Sequence, residues 1–183
     1  LPKGSDLSSF KTTSATSFQK SSFGDEIQGT YPLTSSICRE SHITSSSRPR
    51  IDALKNVLNF YKPLSDHYAH DSKLGSKEHQ PLNLISIPSI FYGSSIKKGS
   101  VSLKFFVTGT LIGRVRDENR NGELIQVGPA GSVESGSVAG VVLYNEGFMI
   151  LTASWDLGDG SHTINYNNDG SPVASSWLQF AAG

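Results

Sequence analysis

Cysteine is nearly missing. Cys38 is the single one in 183 residues, so no disulfide can form within the chain. Without a second thiol or a catalytic context, Cys38 reads as a small buried or half-buried side chain. No run approaches the roughly 20 apolar residues that span a bilayer, and no basic-then-apolar leader opens the chain. Hydrophobic residues make up 36%, below the usual globular share, which places part of the chain outside any core. Basic residues stop at Arg120: all 16 Lys and Arg lie at or before it, with ten acidic residues, a formal +6. Residues 121–183 hold six acidic residues and no basic one, a formal −6. Such a split can guide head-to-tail packing of copies, positive against negative; the alternative is an accidental, solvated split. The chain opens at Leu1 and stops at Gly183 just after an apolar run, which reads as a piece of a longer or processed polypeptide.

Apolar density peaks in residues 83–117, in short runs cut by Gly, Ser and Pro. Residues 84–87, 90–92, 101–107 and 111–115 each have strand length and are rich in β-branched or aromatic residues. Pro88, the cluster at Gly93, Lys97-Lys98-Gly99 and Gly109 separate them as turn chemistry. Alternation in Val101-Ser102-Leu103-Lys104-Phe105 marks one buried and one wet face. Further strands are expected at 124–127, 138–144, 147–155, 162–166 and 176–180, with hairpin turns at Asn121-Gly122 and Asn145-Glu146-Gly147. The predicted fold is mainly β: an antiparallel β-sandwich or jelly-roll-like domain over 83–183, with an extended N-terminal arm and one short helix.

The arm, residues 1–48, is Ser/Thr-rich with isolated aromatics. It has too little apolar surface to offset its ordering entropy alone. Phe10, Phe18, Phe23 and Tyr31 are spaced as separate anchors for a neighbouring surface, and 27–33 is β-like; a mobile tail is the alternative. The helix spans 49–62. Ser47 can cap it, Pro49 suits its first turn and Asp52 its dipole. Ile51, Leu54, Val57, Leu58 and Tyr61 form one stripe, and Pro63 stops it. So short a helix must pack on the β-domain or on a partner, which makes Leu54 and Tyr61 interface candidates. Residues 63–82 read as a polar linker, solvated or at an interface.

Catalytic and metal signals are weak. Asp66, His67, His70 and Asp71 crowd six residues, but in no metal-ligand spacing. Asp117, Asn119, Asn121 and Gly122 match the first half of an EF-hand loop, yet the closing position holds Gly128 in place of Glu. A hairpin turn explains them better, and Asp117, Asn119 and Asn121 are the weak metal candidates. Asp156, Asp159, Asn167 and Asp169 sit in two turns. The glycines at 128–136 are followed by no Gly-Lys-Ser/Thr, which argues against a phosphate cradle. No nucleophile triad stands out, and Cys38 with His42 lies in the arm. No pair of carboxylates is placed to face across a cleft, as glycan hydrolysis needs. No enzyme activity, catalytic residue or cofactor is expected. The basic residues are dispersed without stacking aromatics, so nucleic acid is not an expected partner, nor is a membrane.

At FYGSSIKKGSVSLKFFVTGTL, with NGELIQ and VAGVVLYNEGFMILT after it, the sequence resembles structural proteins of contractile-tailed, T4-like bacteriophages of marine bacteria and cyanobacteria. Those proteins carry a similar turn into a strand, then a Gly-rich loop and a "LYNEGF" hairpin. The likeness spans roughly residues 20–155, and SFGDEIQGTYPLTSSICRE and PRIDALKNVLNFYKPLSDHY look like the same group. It implies a non-enzymatic virion protein of the tail, baseplate or neck region, with copies of itself and other virion proteins as partners. The alternative is a carbohydrate- or receptor-binding β-domain of a fibre or spike, with Trp155, Trp177 and Tyr166 stacking on a host-surface glycan. Exposure of those aromatics together, or their burial, separates the two.

Overall fold

The computed structural model describes residues 37–43, 47–166 and 170–182. Strand β1 is Cys38–His42, followed by helix α1, Pro49–Tyr61. A small hairpin pairs β2, Asp71–Ser72, with β3, Gly75–Ser76. Then come β4, Leu82–Ser86; β5, Ser102–Val107; β6, Thr110–Arg116; β7, Glu123–Gly128; β8, Val138–Leu143; and β9, Phe148–Leu151. Another two-strand pair joins β10, Thr163–Ile164, to β11, Val173–Ala174.

The fold is mainly β, with seven strands in one curled antiparallel sheet of order β1-β4-β9-β8-β7-β6-β5. Strands β5 to β9 meander, each pairing with the next, through tight turns at β5–β6 and β8–β9 and longer loops at 117–122 and 129–137. Strand β4 joins the far side of β9, so residues 87–101 must cross the ends of the sheet to reach β5. That strap is held as it passes: Ile87 N–H donates to Gly147 O at 2.7 Å, and Ile96 N–H to Tyr144 O at 2.8 Å.

Both faces of the sheet are apolar, and each finds its own cover. Helix α1 lays Ile51, Leu54, Leu58 and Tyr61 on Leu82, Leu84, Val141, Leu143 and Ile150. Leu54 and Tyr61 are therefore buried in their own domain and are not free to meet a partner. The physical reason is that β4, β8 and β9 offer a matching apolar face within the same chain. The helix begins behind Arg48, whose N-cap position makes no side-chain hydrogen bond, with Pro49 in its first turn. Ser47 is not the cap.

The other face carries Ile85, Phe105, Ile112, Val115, Leu124, Val142 and Leu151 beneath the C-terminal segment. Trp177 from that segment is fully buried, and Phe180 stacks edge-on to Phe105 at 5.5 Å. Two expected strands are short 3-10 turns: Ser89–Phe91 and Trp177–Gln179. In the second, Ser176 and Gln179 form a capping box that turns the chain so that Trp177 points into the core.

Residues 38–42, read as part of the arm, form the sheet's edge strand. Glu40 lies opposite Leu84 in its register with β4. Cys38 is exposed on that edge rather than buried. Nor are residues 63–82 a solvated linker. Tyr68, Ala69, His70 and Lys77 are buried. Lys77 Nζ donates to His67 O at 2.8 Å and Ala69 O at 2.7 Å. Arg48 reaches Lys77 O, Gln80 O, His79 O and His42 O. Two buried cations solvated by backbone carbonyls thus staple the segment down. The anchors Phe10, Phe18, Phe23 and Tyr31, and the expected strand 27–33, lie outside the described residues, as do Asn167 and Asp169.

Candidate functional site

The strap crosses the sheet where the β6–β7 and β8–β9 turns protrude. That crossing gathers three stretches of sequence: FYGSSIKKG at 91–99, the Asp117 turn, and LYNEGF at 143–148. The strap and the β8–β9 hairpin touch, through Ile96 N–H on Tyr144 O and Ile87 N–H on Gly147 O.

Asp117 is the knot. Only 1% of it is exposed. Its Oδ2 accepts the Gly99 N–H at 2.6 Å and the Tyr144 hydroxyl, and its Oδ1 accepts the Gly122 N–H at 3.1 Å. A carboxyl group buried this deeply needs such donors. Burial and then the Asp117 hydrogen bond hold the Tyr144 phenol well above its ordinary value. Gly99 and Gly122 both take positive φ, +82° and +87°, which lets their N–H groups turn inward on one side chain.

Tyr68 completes the knot from below. Its hydroxyl lies 2.6 Å from Val142 O and 3.1 Å from Asn121 O, and burial raises its phenol strongly. Its ring stacks on Tyr61 at 5.3 Å. Tyr61 Oη accepts from Asn145 Nδ2 at 2.9 Å. Glu123 accepts from Ser65 Oγ. Burial pushes the Glu123 carboxyl up, but the hydrogen bonds of Ser65, Asn121 and Asn119 together with the nearby His67 hold it below its ordinary value.

Above the knot a shallow crevice of about 440 Å³ is lined by Tyr61, Ser95, Ile96, Lys98, Tyr144 and Asn145. Lys98 Nζ sits 5.7 Å over the Tyr144 ring, within cation–π range.

Chemically, the knot is a fastening. The Asp117 carboxylate spends both oxygens on protein donors, so it holds two turns and a hairpin together. Asn119 is exposed, and Asn121 Oδ1 accepts the Glu123 N–H at 3.1 Å. These three candidates thus serve a turn. The His67 and His70 segment is also split: His70 is buried, its N–H donating to Asn59 Oδ1, whereas Asp66 is exposed and 4.0 Å from Lys73 Nζ. Among the described residues, no group of three or more His, Cys, Asp or Glu is arranged to hold a metal. Cys38 and His42 occupy the two ends of β1, about 13 Å apart along an extended chain.

The aromatics named for glycan stacking are not exposed together. Trp177 is buried, and Trp155 and Tyr166 pack against the same core. The most exposed large apolar side chains among the described residues are others: Phe60 at 78%, Ile90 at 86% and Phe106 at 53% exposure. Phe106 was legible as an odd member of the alternating run, the exposed-face position that holds an aromatic. Ile90 was hidden by its reading as a strand. Compared with protein-family models, curated proteins and solved structures, the chain matches none.

Proposed function

We propose that this chain is a non-enzymatic structural protein of a bacteriophage virion, of the tail, baseplate or neck region, that assembles through its N-terminal arm and its β-domain. The observation that supports the reading is the place in the fold of the motifs on which the resemblance to phage structural proteins rests. They meet at one end of the sheet, where Asp117, which lies between them in sequence, accepts from Gly99, Gly122 and Tyr144. Among the described residues, the sheet also keeps two edges, β1 and β5, paired on one side only. One continues directly from the arm. Open edges and outward aromatics are what one subunit offers another.

The test is light scattering and cryo-EM of the full chain at rising concentration. Ordered oligomers of fixed stoichiometry support the reading. A chain that stays monomeric and binds a defined glycan on an array overturns it in favour of the receptor-binding alternative.

A further inference from the structure

We propose that Asn121-Gly122 is a modification site held latent by the fold: the Asp117 knot keeps the pair from closing to a succinimide, and deamidation there unfastens the strap.

The chain holds one Asn-Gly step. Glycine has no side chain to shield its nitrogen, so in an open chain such a step cyclises readily. The Gly122 nitrogen loses its proton and attacks Asn121 Cγ. The new N–Cγ bond closes an imide ring, the Cγ–Nδ2 bond breaks, and Nδ2 leaves as ammonia, taking up the proton. Water then opens the imide. Opening at Cγ leaves aspartate at position 121. Opening at the backbone carbonyl leaves isoaspartate, which lengthens the main chain by a methylene.

In the folded chain each participating group is occupied. The proton that must leave Gly122 lies in a 3.1 Å hydrogen bond to Asp117 Oδ1. Without that proton, nitrogen and oxygen would meet lone pair to lone pair. Asn121 Oδ1 accepts the Glu123 N–H at 3.1 Å, and the Asn121 side chain is also hydrogen-bonded to the Glu123 carboxylate. The amide is thus held on Glu123, and Cγ is not free to swing onto the Gly122 nitrogen. The backbone is pinned on both sides of the step. Tyr68 Oη donates to Asn121 O at 3.1 Å, and Val142 N–H donates to Gly122 O at 2.8 Å.

The products do not fit the same place. A carboxylate at 121 sets a second negative group against Glu123 where an amide stood, and like charges at one site repel. Isoaspartate shifts the Gly122 N–H off Asp117. The strap hangs from that same carboxyl through the Gly99 N–H at 2.6 Å, so it loosens with the knot.

The full chain, native and unfolded in urea, is incubated in mildly alkaline buffer and mapped by mass spectrometry for the exchange of amide for acid at 121. The native chain is expected to react at least about tenfold more slowly, the effect of one or two net hydrogen bonds. Asp117→Ala frees the Gly122 N–H, and Glu123→Ala frees the Asn121 amide. Both are expected to raise the native rate several-fold above that of Gln126→Leu, compared at an equal fraction unfolded. Gln126 is a fair control because its side chain bonds Gly128 and Trp177 instead. If Asp117→Ala does not fold, Glu123→Ala alone decides. Asn121→Asp is expected to melt below the unmodified chain. Equal rates in the native and unfolded chains overturn the proposal, as do knot variants no faster than Gln126→Leu. An unchanged melting temperature in Asn121→Asp overturns the unfastening.

Discussion

The Trp177 indole donates its Nε1–H to Gln126 Oε1 at 2.8 Å, and both side chains are fully buried. The bond fixes the C-terminal segment to β7 inside the curled sheet. Gln126 is held in turn, its Nε2 donating to Gly128 O at 2.9 Å. Arg39 of β1 and Asn83 of β4 bind the Phe180 carbonyl from the other side. One segment therefore bridges strands from both halves of the sheet.

Trp177→Ala is expected to cost about 3–5 kcal/mol through the cavity it leaves. Gln126→Leu should cost less, about 1–3 kcal/mol, because it strands one buried indole N–H. Denaturant unfolding of both variants checks the order. Equal, small effects would mean that the segment does not close the core.

At the knot, Asp117→Asn exchanges an acceptor oxygen for an amide where two N–H groups and a hydroxyl all donate. A loss of about 1–3 kcal/mol is expected, and Tyr144→Phe should lose less. Differential scanning calorimetry distinguishes them. An unchanged melting temperature in Asp117→Asn would contradict the fastening role.

Gly122 tests the same place sterically. A Cβ there would stand 1.7 Å from Tyr68 Oη at φ +87°. Gly122→Ala is expected to destabilise strongly, and Tyr68→Phe to restore part of the loss in the double variant. The two sites touch, so their effects should not add; strict additivity in a double-mutant cycle would refute the contact.

The pH dependence follows from Lys77. Burial pushes its ammonium down to about 8 from an ordinary 10.5. Between those values the unfolded chain binds the proton more readily, so stability should rise with pH from about 8 toward 10. Above pH 10 the raised Tyr68 and Tyr144 phenols reverse the trend, because the unfolded chain then ionises first. Lys77→Met should abolish the rise. Unfolding curves that fall steadily from pH 8 to 10 would be the opposite sign.

The strands were legible because alternation and turn chemistry sit in the local sequence: Val101 to Phe105 declares both its faces. The stripe from Ile51 to Tyr61 was equally plain. The misread elements depend on distant partners. Residues 63–82 look solvated by composition, yet Lys77 and Arg48 find carbonyls for their buried charge, a solution that leaves no pattern in sequence. The pair Ser176 and Gln179 did carry a capping signature, but Trp177 and Phe180 made it look like a strand. Asp117 read correctly as a turn residue. Its grip on Gly99 and Tyr144, 18 and 27 residues away, is a product of the strap's crossing.

The central claim is that the arm belongs to an assembly. Hydrogen exchange on the full chain, monomeric and assembled, tests it most directly. Amides of residues 20–36 should exchange freely in the monomer and become protected in the assembly, whereas those of β1, paired with β4, should be protected in both. Strong protection of residues 20–36 in the isolated monomer would contradict it.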